Sequence, residues 1–366
     1  MREIPWLLFA VAFAFPLAPS LPAQWQKSAP GWEYVFPRDE SAHPDFKTEW
    51  WYFTGNLRED STGRRFGYQL TFFRQGIRPP GQRPPAKSAF VTDHFWFAHF
   101  AISDLEARKF HATETISRGV FGEAGSGGGD DRLVWIGDWT LRQPKPGSYA
   151  LSATNQDMAI QLGLTSKKPP VFHGEDGISA KSPDAGNASH YFSHTRLDSK
   201  GSLRLGSRSF TVQGTSWFDR EWSTSVLGQG VSGWDWFSIH LDQNVEVMLF
   251  QLRRTDGSSA FTSGTLIESD GTTRRLKHGE IRFTAGKIWK NAQTGVSYPI
   301  DWRAEIPSMG LSLRVKAAIP NQELQLSSVS YWEGSTIVEG TRNGHPTSGF
   351  GYLEMTGYGS TLAALR

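Results

Sequence analysis

The chain contains no cysteine. Disulfides, thiol nucleophiles and thiolate metal sites are therefore excluded, and the cellular compartment has to be read from other features. Methionine is scarce, with five in 366 residues, and no segment sustains the 3.6-residue apolar period of an amphipathic helix over several turns. The formal net charge is only +2 and no run of basic residues forms a stripe able to follow a phosphate backbone, so nucleic acid is not an expected partner. There is neither a glycine-rich fingerprint opening a helix nor a phosphate loop. Nucleotides thus find no support, and no cofactor is expected. Beyond the N-terminus, no apolar run approaches the roughly 20 residues of a transmembrane helix.

What is abundant points one way. Fifteen Trp and 24 Phe, with 38 Gly and 20 Pro, favour strands punctuated by turns, so the expected class is all-β. The densest stretch is Glu49-Trp50-Trp51-Tyr52-Phe53-Thr54-Gly55-Asn56-Leu57. On a strand, Glu49, Trp51 and Phe53 share one face while Trp50, Tyr52 and Thr54 share the other. Both faces are largely apolar, so this strand is expected between layers or against a cavity. Phe66 to Phe72 reads as its hairpin partner, His94 to Ser103 as a further aromatic strand, and Leu203 to Val212 as a later one.

Arg2 precedes an apolar run from Trp6 to Phe15, and Leu21-Pro22-Ala23 ends on a small residue suited to signal-peptidase cleavage. Residues 1–23 therefore read as an export signal, with a bacterial periplasm the simplest destination. Half a chain after the first aromatic strand, Gly233-Trp234-Asp235-Trp236-Phe237 repeats its cadence, and Val245 to Leu252 repeats its partner. Two copies of one β-fold explain the echo. The expected domains are residues 33–212 and 213–366, divided at Gln213-Gly214. Many short strands in each suit barrels that close on themselves.

Carboxylates recur among the tryptophans: Glu49, Asp219, Glu221, Asp235 and Glu333. A carboxylic acid desolvated by aromatic walls can stay protonated near neutrality, its pKa raised by up to roughly 3 to 5 units. Protonation of an alkene needs such an acid, and indole or phenol faces then stabilise the resulting cation by about 2 kcal/mol each when desolvated. Asp219, Glu221 and Asp235 are accordingly the candidate acids. Alternation places Trp217, Asp219 and Glu221 on one face and Trp234 with Trp236 on another, so pairing of the two strands would join them in one pocket. The candidate ligand-binding set is Glu49, Trp51, Tyr52, His99, Trp217, Trp222, Trp234, Trp236, Tyr331 and Trp332. The histidines lack a compact ligand spacing, and no metal site is expected. Gly214-Thr215-Ser216-Trp217-Phe218 lacks the second glycine of a nucleophile elbow, which ranks hydrolysis third.

Glu49 to Leu57, Trp217-Phe218-Asp219-Arg220-Glu221-Trp222, Tyr331-Trp332-Glu333-Gly334 and Gly351 to Tyr358 together resemble the signatures of the carotenoid 1,2-hydratase and AttH-like family. The likeness covers nearly all of the chain past the export signal. It implies two tandem lipocalin-like antiparallel β-barrels and a hydrophobic small-molecule partner, isoprenoid or lipid-like. The hydratases of the family add water to an acyclic carotene without a cofactor. They carry a His-x-Trp and a Tyr-x-Asp in the second half, where this chain reads Trp234-x-Trp236 and Phe250-x-Leu252, so the usual proton donor has no counterpart here. Two readings follow: a cofactor-free lyase or isomerase, or a non-catalytic carrier of an apolar ligand. Peripheral contact with a membrane stays open under both.

Overall fold

The structure is a computed structural model and describes residues 24–82, 88, 90–127, 131–182, 187–225 and 227–359. The segment read as an export signal lies outside them. The described residues form strands and four 3-10 turns, with no α-helix. This follows from a sequence rich in aromatic residues and lacking a helical apolar period, with glycine-bearing turns between its apolar stretches.

Two large antiparallel sheets make up the molecule. The first has 13 strands, and its main path runs Lys109–Ser117, His94–Asp104, Arg65–Gly76, Thr48–Glu59, Arg208–Ser225, Ala188–Leu205, Met158–Ser166, Ser148–Thr154, Trp139–Lys145, Arg132–Ile136 and Ala124–Ser126. It rolls into a nearly closed barrel, since Trp96 and Phe100 near one end share a core with Val134 and Ile136 near the other. The second has ten strands and curls round its own core of Phe237, Ile239, Trp302, Trp332 and Leu353. Its central strand Val231–Leu241 pairs with Val245–Arg254 on one side and His345–Met355 on the other. The first sheet repeats this plan: Thr48–Glu59 lies between the next strand, Arg65–Gly76, and the long late strand Arg208–Ser225. The echo in the sequence thus marks equivalent strands of two lipocalin-like barrels.

The sequence boundary at Gln213-Gly214 is corrected by this pairing. Arg208–Ser225 runs unbroken through it, with Leu57 opposite Gly214 and Tyr52 opposite Asp219. Gly214 is required for close approach rather than for a turn, because a Cβ there would meet the Asn56 carbonyl oxygen at 2.1 Å. The first sheet therefore ends at Ser225 and the second begins at Val231. The expected single strand Leu203 to Val212 is likewise two strands. Ala188–Leu205 and Arg208–Ser225 form a hairpin turning at Gly206, whose φ of +57° suits glycine.

Alternation gives each strand an inward and an outward face. Inside the first barrel, Phe53 stacks on its cross-strand partner Phe218 at 4.2 Å, a contact contributing about 0.5 to 1.5 kcal/mol beyond burial. The outward faces of the two sheets pack against one another. Lys168 reaches across to Glu246 at 2.5 Å, Ser103 donates to Gln322 Oε1 at 2.5 Å, and His240 Nε2 bonds the Thr195 carbonyl at 2.7 Å.

Candidate functional site

A cavity of about 290 Å3 lies between the outward faces. That is close to the lower end of small-molecule pockets, which run about 300–1,000 Å3. From the first barrel it receives Trp50 and Tyr52, Phe73, Phe95, Phe97 and His99, Tyr191, and Asp219 with Glu221. From the second come Trp234 and Trp236, Phe250 and Leu252, Tyr331, and Glu354. Register explains each group. Trp50, Phe73 and Phe97 stand abreast on neighbouring strands, as do Trp234 with Leu252 and Trp236 with Phe250. Ile116 lines the cavity and is 54% exposed, so the aromatic end opens to solvent.

The polar end is built from buried carboxyls. Asp219 accepts from Tyr191 OH at 2.8 Å on one oxygen and from Trp217 Nε1 at 2.5 Å and the Ser193 hydroxyl on the other. Burial nevertheless dominates those donors and raises its pKa to about 7. Glu354 accepts from Trp234 Nε1 at 2.8 Å, and burial raises it also to about 7. No ion pair to a described residue neutralises either group. Glu333, opposite Glu354 in the strand pairing, is held well above the usual carboxylate range, first by burial and then by the charge of Glu354. Its polar neighbours are the hydroxyls of Tyr52 and Tyr331, although neither makes a hydrogen bond of good geometry to it. Glu221 differs, because Lys181 pairs with it at 2.8 Å. His99 shares hydrogen bonds with Tyr331 OH at 2.9 Å and Ser328 Oγ at 3.2 Å, and burial lowers its pKa to about 4.

The strands carrying Trp217–Trp222 and Trp234–Trp236 do converge, but not by pairing. They belong to different sheets and meet face to face, with Trp217 and Trp236 in a T-shaped contact at 6.2 Å. Of the residues singled out from the sequence, Tyr52, His99, Asp219, Glu221, Trp234, Trp236 and Tyr331 line the cavity, and Trp217 stands directly behind it.

Five others lie elsewhere, all because of strand parity. Glu49 and Trp51 point into the first barrel, where Glu49 pairs with Arg74 and Arg220 and the Arg220 guanidinium covers the Trp51 ring at 3.9 Å. Trp222 shares that inward face and is stacked by His43 at 3.8 Å. Asp235 points into the second barrel, bound by Arg253 at 2.9 Å, Gln251 at 2.8 Å and Tyr358 at 3.0 Å. Trp332 is in the core of that barrel and donates to the Pro320 carbonyl at 2.9 Å.

Sequence reasoning missed Glu354, Tyr191 and Lys181. Glu354 had a signal, since alternation in Tyr352-Leu353-Glu354-Met355 sets it apart from the core residues Leu353 and Met355. Tyr191 lies in a strand that the sequence pattern does not reveal.

The AttH-like family profile matches residues 27–358, thus spanning both barrels. The chain is similar to the crystal structure of an AttH-like protein from Nitrosomonas europaea, at 33% identity, with a TM-score of 0.80 over 91% of this chain and 99% of that one. It also shares the fold of kievitone hydratase from Nectria haematococca, at 15% identity, with a TM-score of 0.68 over 89% of this chain and 93% of that one. No curated protein sequence matches. With a profile that covers both barrels and a relative of this similarity over nearly its whole length, the chain belongs to the AttH-like family.

Proposed function

We propose that the cavity between the barrels binds an apolar, alkene-bearing small molecule of isoprenoid or lipid-like kind and protonates it without a cofactor, leading to hydration or isomerisation. The observation that carries this reading is a pair of unpaired carboxyls, Asp219 and Glu354, each with a pKa of about 7 within aromatic walls. A general acid works best when its pKa lies near the working pH.

Trp234 occupies Oε2 of Glu354, which leaves Oε1 to carry the proton. The Glu354 O–H bond breaks, the π pair of the alkene forms the new C–H bond, and positive charge develops on the other carbon. Trp234 and Trp236 offer ring faces to that charge. Water adds to the cation and gives its proton to Asp219, whose orientation is set by Tyr191, Trp217 and Ser193. In the isomerisation branch, Asp219 removes a proton from carbon instead. The fold shared with a hydratase is compatible with this chemistry.

The test is to incubate the protein with an acyclic isoprenoid hydrocarbon in heavy water and follow deuterium incorporation by mass spectrometry. Glu354→Gln should lower turnover by about 100- to 10,000-fold, the usual contribution of a general acid, while the ligand still binds. Binding without deuterium incorporation in the wild type would favour the carrier reading, which the occupied oxygens of Asp219 and the apolar Phe250 and Leu252 wall also suit.

Export belongs to the same proposal and is supported by the apolar run ahead of Ala23. Among the described residues no helix is long and apolar enough to cross a membrane. Protein recovered from its host should begin close to Gln24, and an intact Met1 on a cytoplasmic protein would refute export.

A further inference from the structure

Protonation by Glu354 and collection of water's proton by Asp219 leave one carboxyl empty and the other loaded after each turnover. Continued catalysis requires a proton to return to Glu354, which is flanked along its strand by the buried Leu353 and Met355. The molecule contains a chain of polar groups that leads from solvent to the partner of this carboxyl. It crosses from one barrel to the other, and neither proton transfer to the alkene nor water addition uses it.

The chain begins at Glu114, on the outer strand Lys109–Ser117, half-buried and directly opposite His99 in the strand pairing. Glu114 accepts from Ser328 Oγ at 2.6 Å on one oxygen, and from the backbone N–H and hydroxyl of Ser327, both at 2.5 Å, on the other. Ser328 Oγ stands 3.2 Å from His99 Nε2, and His99 Nδ1 stands 2.9 Å from Tyr331 OH. Tyr331 and Glu333, two residues apart on Ser330–Arg342, share a face of that strand, and Glu333 is wholly buried and stands across from Glu354. An imidazole bonded at both nitrogens passes a proton by accepting at one and releasing at the other. A Ser or Tyr hydroxyl, being donor and acceptor at once, does the same.

We propose that Ser328, His99, Tyr331 and Glu333 form a proton relay that reloads Glu354 from solvent through Glu114. This inference rests on Glu354 being the acid of the proposed reaction. In one passage a proton arrives on Glu114 and moves to Ser328 Oγ. The Ser328 proton moves to His99 Nε2, the Nδ1 proton to Tyr331 oxygen, and the Tyr331 proton to Glu333, which supplies Glu354. One proton enters, one leaves, and the groups reset by hydroxyl rotation and a change of His99 tautomer. His99, Tyr331 and Glu333 are thus positioning and transfer residues rather than groups that attack substrate.

The relay is tested without substrate. A protonated buried carboxyl has a resolved C=O stretch in the infrared, assigned to Glu333 by its loss in Glu333→Gln, and this band shifts when the proton is replaced from D2O. Exchange should be at least tenfold slower in His99→Ala and in Tyr331→Phe than in the wild type, and imidazole added to the buffer should restore it in His99→Ala. Should His99→Ala fail to fold, Tyr331→Phe removes a single oxygen and makes the same measurement. Unchanged exchange in folded variants, or no protonated band from Glu333 at neutral pH, would overturn the relay. A second arm separates the two proposals. With turnover established, Glu114→Gln, which alters the solvent end of the relay and lies outside the cavity lining, should complete a first turnover at the wild-type rate and slow only in later ones. If no substrate is turned over, the infrared result still decides the relay, while the catalytic reading alone falls.

Discussion

Within a few ångströms of backbone, the molecule treats buried carboxyls in two opposite ways. Glu49 faces the interior of the first barrel. Burial alone would push its pKa up, but Arg74 and Arg220 outweigh burial and hold it well below the usual carboxylate range. Asp219 is the sequence neighbour of Arg220, yet it faces the other side of the same sheet, meets no cation, and rises to about 7. Glu354 does the same on the opposing barrel. Both carboxyls are buried and both settings are rich in tryptophan. In these sites the difference is a fixed counter-charge: Glu49, held by two guanidiniums, is an anion that joins strands, whereas Asp219 and Glu354, which have no such partner, can lose and regain a proton near neutrality. Within one hexapeptide, Trp217 to Trp222, Arg220 faces inward to supply the counter-charge of Glu49, while its neighbour Asp219 faces the cavity.

The widest separation of the two settings comes from neutralising each acid. Glu49→Gln leaves Arg74 and Arg220 buried without their anion and should cost about 3 to 5 kcal/mol in urea denaturation. Glu354→Gln at slightly acidic pH removes no charge and should cost a small fraction of that. Equal losses would erase the distinction.

The next effect is pH dependence. Glu354 has its folded-state pKa raised from 4.5 to about 7, so between those values the folded state binds the proton and the unfolded state does not. Its contribution to stability is therefore present below about pH 4.5 and is lost as pH rises towards 7. Measured as a difference, Glu354→Gln should gain on the wild type by on the order of 3 kcal/mol between acidic and mildly alkaline pH. Glu49→Gln should show no such gain over that range, because the Glu49 carboxyl is already ionised throughout.

The smallest effect sharpens the cavity side. Trp234→Phe keeps an aromatic face but withdraws the donor to Glu354, whose indole hydrogen bond favours the ionised form. The Glu354 pKa should move further up, read from its infrared carboxyl band against pH, by less than about one unit, equivalent to about 1.4 kcal/mol. A downward shift would mean that Trp234 does not hold the carboxylate.

Several elements are legible in the amino-acid pattern. The aromatic run at Glu49 to Leu57 is a strand, its echo at Trp234 is the equivalent strand of a second barrel, and both lead into their predicted hairpin partners. Glycine is what misleads. Gly214, read in sequence as the divide between the halves, sits mid-strand to allow close approach to Asn56, whereas Gly206, inside an apparent strand, is a turn. From that ambiguity follow the misplaced boundary and the overlooked strand of Tyr191.

The sequence by itself determined which side chains share a face, because strand geometry repeats every two residues whatever the strand packs against. Trp217, Asp219 and Glu221 had to stand together, as did Trp234 and Trp236. Which face looks into a barrel and which looks across to the other barrel was decided only by the tertiary structure, since a period of two is blind to the direction in which a sheet curls. Closure of each sheet sent Glu49, Trp51, Trp222, Asp235 and Trp332 inward. It turned Asp219 outward to meet Glu354, a residue far along the chain that only the docking of the two outward faces brings to the same cavity.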